Sequence, residues 1–111
     1  MVPARIAAVL AELAPLGERF AAAGHRLYLV GGAVRDLLVG GDGTAGDRDL
    51  TTDAHPGAVK QLLRGWADAV WTQGERFGTI GARRDRPDGT SLTVEITTFS
   101  TTAIVWLRTS L

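Results

Sequence analysis

The chain has 111 residues, and its 12 basic and 12 acidic side chains cancel in net charge. This length predicts one domain with one hydrophobic core. The balanced charge excludes an overall positive field, so any contact with nucleic acid must be local. The absence of cysteine excludes disulfide scaffolds, cysteine-ligated zinc and thiol nucleophiles.

The N-terminal segment predicts an amphipathic helix that packs on a sheet. Its apolar residues recur at helical spacing: Ile6, Val9, Leu10 and Leu13. We expect Pro15 and Gly17 to interrupt or bend this helix before Gly24 ends it. Charges are scattered through the segment, which excludes the unbroken apolar run of a signal peptide or membrane span. A cytoplasmic protein without membrane contact is the default expectation.

A strand, a glycine turn and a short helix follow in order. Residues 26–30 are apolar on both faces, which predicts a central strand that is covered on each side. Gly31 and Gly32 end this strand, and residues 33–39 fit a short helix. Residues 40–46 form a glycine-rich segment without hydrophobic anchors, which predicts a loop.

A second strand is predicted from Asp47 to Asp53, with Asp47 and Asp49 on one face and Leu50 on the other. Pro56 is well placed for the first turn of a following helix. That helix carries an apolar stripe: Val59, Leu62, Leu63 and Trp66. The stripe predicts packing of Trp66 in the core rather than stacking on a base.

Three further strands are predicted at about residues 69–72, 77–83 and 91–99, with a turn at 86–89. Glu95 is the lone charge on the last of these strands. The order of elements predicts an α/β (α+β) fold with a mixed sheet flanked by helices. For Trp71 and Trp106, burial in the core or at a partner interface is the expectation.

Two features together predict a site for a metal-bound nucleoside triphosphate. A strand that delivers two glycines into the start of a helix leaves backbone N–H groups free to bind an anion. Magnesium prefers carboxylate oxygens and keeps substrate phosphate among its ligands. A magnesium site therefore usually shows two or three acidic residues, and Asp47, Asp49 and Glu95 fit that number. Either feature alone is weak evidence for such a site, since glycine turns and Asp-rich triplets are common. Their combination, in this order along the chain, is what favours a triphosphate and metal site.

The chain resembles a known family in four segments of matching order and spacing. They are LVGGAVRDLLVG (29–40), DRDLTTDAHP (47–56), GERFGTI (74–80) and VEITTF (94–99). They resemble the catalytic head of the class II CCA-adding enzymes, the tRNA nucleotidyltransferases, and of the bacterial poly(A) polymerases. The resemblance covers roughly residues 5–99 and implies a nucleotidyltransferase head with a DNA polymerase beta-like fold.

The resemblance implies a role for each matching residue of the glycine turn. Gly31 and Gly32, with Arg35, would contact the triphosphate of the incoming CTP or ATP. Asp36 would brace the same turn and so belongs to the nucleotide-binding set.

It also implies roles for the acidic residues. Asp47 and Asp49 would hold Mg²⁺, and Glu95 would help to deprotonate or orient the attacking 3′-hydroxyl of a tRNA. Arg83 and Arg84 fall in a region that resembles a flexible loop near the active site, although a solvated hairpin is the favoured interpretation for them.

By this resemblance, residues 1–99 form the head and residues 100–111 a divergent tail, and the neck, body and tail domains of the family are absent. The base-reading residues of the family lie in the neck. Two alternatives therefore stay open beside CCA addition: a non-catalytic remnant that binds triphosphate and Mg²⁺ or a partner chain, and the head of a poly(A) polymerase.

Overall fold

The computed structural model describes residues 4–30, 48–73 and 78–99. Within these ranges the chain forms two helices and five strands. In chain order they are α1 (Ala4–Ala22), β1 (Leu27–Val30), β2 (Arg48–Thr52), α2 (Pro56–Leu63), β3 (Ala69–Thr72), β4 (Thr79–Asp85) and β5 (Ser91–Thr98).

The strands form one sheet in the order β1-β2-β5-β4-β3. β2 and β5 run parallel, and the other neighbouring pairs run antiparallel. This arrangement confirms the predicted mixed sheet. It also places β5, the last of the described strands, at the centre of the sheet, so that β5 pairs with both β2 and β4.

Helices α1 and α2 pack on one face of the sheet, which we call the covered face. Leu50 on β2 and Ile96 on β5 are register partners there, and both are almost fully buried. From α1, Leu13, Leu16 and Phe20 enter the same core. The opposite face, which no described helix covers, is called the open face. Asp49, Thr51, Glu95 and Thr97 belong to it by strand alternation.

Helix α1 is not interrupted at Pro15, so of the two expected effects, an interruption or a bend, the interruption is wrong. It is one helix from Ala4 to Ala22 that includes Pro15. Proline removes one backbone hydrogen bond from a helix interior, but Leu13, Leu16 and Phe20 are fully buried around it. Tertiary packing of these three side chains outweighs the local preference for a break. The end near Gly24 is confirmed, since this residue has a φ of 82°.

Strand β1 is an edge strand of the described sheet, so the prediction of a central strand was wrong. Its apolar residues on both faces have a different explanation. Leu27 and Leu29 join the core, whereas Tyr28 is buried on the open face, where its ring centroid lies 6.0 Å from that of Phe99. The contact with the Phe99 ring therefore helps to cover Tyr28 on the open face.

The bounds of the remaining described elements agree closely with those predicted from the sequence. Pro56 begins α2 as predicted, β3 spans the expected residues, and Trp66 is buried. The turn predicted at 86–89 is confirmed, because Arg86 N donates to Thr90 O at 2.8 Å and Gly89 has a φ of 89°. The helix predicted for 33–39 and the loop for 40–46 lie outside the described residues. No described helix is both long and apolar enough to cross a membrane.

Candidate functional site

Two carboxylates meet at the centre of the open face. Asp49 on β2 and Glu95 on β5 are register partners in the parallel pair. Neighbouring strands lie roughly 4.8 Å apart, so the two side chains stand side by side on one face. Both are half-buried. The structure thus brings together two of the three acidic residues that the sequence singled out, although 45 residues lie between them in the chain.

The chemistry of this pair fits a divalent cation. Like charges that face each other on neighbouring strands destabilise a sheet, and a bound cation removes that cost. Carboxylate oxygens are the ligands that Mg²⁺ prefers. In the part of the chain that the structure describes, no three His, Asp or Glu residues come together as a metal site. Asp47, the third predicted acid, lies outside that part.

Threonine side chains fix the strands beside the two acids. Thr51 Oγ1 donates to Thr97 O at 2.9 Å, which links β2 to β5 one step along the open face from Asp49. Thr79 and Thr97 share a hydrogen bond of 3.0 Å between their hydroxyl groups, which links β5 to β4. Because both bonds bridge neighbouring strands, they stiffen the surface from which the carboxylates project.

An amide contact to Glu95 was missed by the sequence interpretation. Gln73 Nε2 donates to Glu95 Oε1 at 2.7 Å, and Gln73 Oε1 accepts from Trp71 Nε1 at 3.2 Å. Trp71 is 38% exposed, so burial in the core is wrong for it, and burial at a partner interface stays a prediction. No sequence signal points to this contact, because it depends on β3, β4 and β5 being neighbours.

Arg83 and Arg84 lie within β4, not in a flexible loop. Strand alternation sends them to opposite faces. Arg83 is on the open face and donates to Asp85 Oδ1 at 3.0 Å. Arg84 is on the covered face, with its guanidinium 5.3 Å from the ring centroid of Trp66. Of the two, only Arg83 shares a face with Glu95, and their roles stay predictions.

The predicted nucleotide-binding residues lie outside the described ranges: Gly31, Gly32, Arg35 and Asp36. The described strands nevertheless show where the residue before this segment lies relative to the two acids. Val30, the last residue of β1, is the register partner of Asp49. The residue that precedes Gly31 in the sequence therefore lies beside one acid of the pair, and Asp47 directly precedes β2 in the sequence.

The mixed sheet with helices on its covered face and paired acids on its open face fits the α/β head domain of nucleotidyltransferase type that the resemblance implies. A sequence model of the poly A polymerase head domain matches residues 27–106. The chain belongs to this family, as the resemblance predicted. The match continues beyond Phe99, so the boundary proposed there between head and tail stays a prediction.

Curated relatives and solved structures agree with this assignment. The CCA-adding enzyme of Bacillus pumilus is 38% identical over 78 residues, which are 70% of this chain and 17% of that protein. The crystal structure of the Bacillus stearothermophilus CCA-adding enzyme in complex with CTP has a TM-score of 0.61 and 31% identity, covering 81% of this chain and 20% of that one.

A third similar protein is a tRNA nucleotidyltransferase complexed with a primer tRNA and an incoming ATP analog. It has a TM-score of 0.58 and 29% identity, and the match covers 77% of this chain and 23% of that one. The chain thus spans about a fifth of the length of the relatives that it matches.

Proposed function

We propose that this chain is the catalytic head of a CCA-adding tRNA nucleotidyltransferase. The observation that carries the proposal is the side-by-side placement of Asp49 and Glu95, within the segment that matches the head-domain family. A paired-acid site beside a glycine turn is suited to a triphosphate with bound divalent ions. In this proposal the 3′-hydroxyl of a tRNA attacks the α-phosphate of CTP or ATP, so that CMP or AMP is added to the tRNA and pyrophosphate leaves.

The proposed division of labour follows from the positions of the residues. Asp47 and Asp49 would hold Mg²⁺, which when bound supplies electrostatic stabilisation of the transferred phosphate and of the attacking oxygen. Glu95 would accept or direct the proton of the 3′-hydroxyl. Gly31, Gly32, Arg35 and Asp36 would bind and brace the triphosphate through the turn that follows Val30.

The names of the similar proteins support the choice of substrates. One is described with CTP, and another with a primer tRNA and an ATP analog. The neutral net charge of this chain gives no long-range attraction for tRNA. Its contact with RNA would therefore be confined to the 3′ end near Glu95. A cytoplasmic location stays a prediction.

The direct test is incorporation of labelled CMP or AMP by the chain into tRNA lacking its terminal CCA. We expect metal-dependent incorporation that falls at least about 100-fold in Asp49→Asn, because that variant loses a charged metal ligand. Glu18→Gln is the matched control. This exposed glutamate lies on α1, on the far side of the sheet, and its loss should leave the rate unchanged.

The other outcomes separate the alternatives. Long runs of AMP on any RNA would assign the chain to the poly(A) polymerases. Mg²⁺-dependent triphosphate binding without transfer would assign a non-catalytic remnant, provided that the affinity falls in both Asp47→Ala and Asp49→Ala. Absence of metal-dependent triphosphate binding would overturn the proposal.

A further inference from the structure

Gln73 lies where β3 ends and contacts the proposed site through its side chain. Its backbone N donates to Thr79 O at 2.9 Å, which ties the residue to the start of β4. From this anchored position Nε2 donates to Glu95 Oε1 at 2.7 Å. An exposed amide from a strand at the sheet edge thus reaches a carboxylate on the central strand.

The polarity of the contact is set by Trp71. An indole N–H can only donate, so it requires the oxygen of the Gln73 amide. Trp71 Nε1 donates to that oxygen at 3.2 Å. The NH₂ group of Gln73 is thereby left to face Glu95, which as a carboxylate can only accept. The three groups form a chain of hydrogen bonds that runs in one direction.

Gly81 makes room for this chain. It is the register partner of both Trp71 and Glu95, so it lies between them in the sheet. A Cβ atom at position 81 would come within 2.3 Å of the Trp71 ring. Only glycine lets the indole lie against the backbone of β4 at this point. The ring is therefore held between β3 and β5, with its N–H directed at Gln73.

The charge of the donor matters for a carboxylate beside Asp49. Gln73 occupies Glu95 Oε1 with a neutral donor, which fixes the side chain without neutralising it. An arginine or lysine at the same place would compete with a divalent cation for the negative charge. The amide leaves the other oxygen of Glu95 available to a cation or to a hydroxyl group.

We propose that Gln73 is a positioning residue, which holds Glu95 in its working orientation while Trp71 fixes the Gln73 amide. This inference rests on the proposed function and deepens it. Groups that orient a metal-site carboxylate typically matter on the order of 10-fold or more in activity or metal affinity. Gln73 would act through Glu95 and would not itself touch the substrate.

The test compares Gln73→Met with Gln61→Met in the complete chain. Methionine keeps the length of the glutamine side chain but removes both hydrogen bonds. Gln61 is an exposed glutamine on α2, so the same replacement there is the matched control. We expect Gln73→Met to lower kcat on the order of 10-fold and to leave KM for the triphosphate and the urea midpoint of unfolding unchanged. Gly81→Ala should lower kcat in the same way, because it displaces the Trp71 ring.

A titration with Mn²⁺ gives a second readout that needs no turnover. Glu95 adds its negative charge to the cation site beside Asp49, so we expect Gln73→Met to weaken Mn²⁺ binding on the order of 10-fold and Gln61→Met to leave it unchanged. A loss in kcat or in Mn²⁺ affinity that Gln61→Met does not share supports the proposal. If the wild-type protein forms no product, the proposed function fails, and the Mn²⁺ titration still tests whether Gln73 positions Glu95. Wild-type behaviour of Gln73→Met in every available readout overturns the proposal.

Discussion

The covered and open faces of the sheet share the same strands but carry different kinds of residue. Along β5, Leu92, Val94 and Ile96 are buried under the helices, whereas Thr93 and Glu95 lie partly exposed on the other side. Apolar burial supplies most of the stability of a small domain. Strand alternation thus places the residues that stabilise the fold on one face and the candidate site residues on the other, so that substitutions at adjacent positions should have different consequences.

The largest expected difference between the two faces is between substitutions at two neighbouring residues of β5. Ile96→Ala leaves a cavity under the helices and should lower the free energy of unfolding by about 2–5 kcal/mol. Glu95→Ala, one residue away, should change it by less than about 1 kcal/mol. Urea unfolding of the two variants measures both. Equal losses would show that the open face also carries the fold.

The next effect concerns the edge of the covered face, where Glu12 on α1 meets Arg86 in the β4–β5 turn. Arg86 donates to both carboxylate oxygens, at 2.6 and 2.9 Å. This hydrogen bonding, outweighing partial burial, lowers the pKa of Glu12 from its ordinary value of 4.5. The pair is about one-third exposed. Solvent screening therefore limits its contribution to at most about 1 kcal/mol.

The sign of the pH dependence follows from the lowered pKa of Glu12. A carboxyl group with a lower pKa in the folded state stabilises that state above its unfolded pKa, near 4.5. The contribution is lost as the pH falls through the folded pKa. Glu12→Gln should therefore unfold at lower urea than wild type at pH 7, and the difference should vanish in strong acid. Glu18→Gln, which removes the same charge from an exposed position on the same helix, is the matched control.

A smaller effect separates the two arginines of β4. Arg84 lies 5.3 Å from the Trp66 ring centroid on the covered face, and Arg84→Gln should cost about 0.5 kcal/mol as this cation–π contact is lost. Arg83→Gln, on the open face, breaks only an exposed ion pair with Asp85. Thermal unfolding should rank Arg84→Gln below Arg83→Gln, and the reverse ranking would contradict the assignment of Arg84 to the covered face.

The smallest expected effect is a gain on the open face. Glu95→Gln removes the like-charge neighbour of Asp49 and should stabilise the chelator-treated protein by a few tenths of a kcal/mol. Added Mg²⁺ should then stabilise wild type more than the variant, because a ligand that binds the folded state raises its stability. Urea curves with EDTA and with Mg²⁺ check this. An identical response to Mg²⁺ would argue that Glu95 contributes nothing to cation binding.

Local patterns were enough to predict most elements and the direction of many side chains. The alternation along β5 assigned Glu95 and Ile96 to opposite faces, and Pro56 marked the first residue of α2. These features depend on residues a few positions apart, so the sequence contains them directly. The residue pattern also indicates Asp49 and Glu95 as candidate site residues, although it does not show that they are neighbours.

Features that depend on strand order could not be predicted in the same way. The continuity of α1 through Pro15 reflects burial against a distant sheet, and the position of β1 at the edge depends on which strand takes the centre. The contact between Gln73 and Glu95 spans 22 positions and exists only because β4 lies between their strands. Local periodicity contains no information on these long-range neighbours.

The parallel pairing of β2 with β5 has a consequence for how the domain folds. Thr51 and Thr97, which hydrogen-bond across this pair, are 46 positions apart. Contacts of such long sequence separation form slowly, because a large loop must close first. While the chain emerges from a ribosome, Asp49 lacks Glu95, its register partner, until β5 is made. Affinity for Mn²⁺ during refolding should therefore report the docking of β5, arriving later than the helical signal of α1.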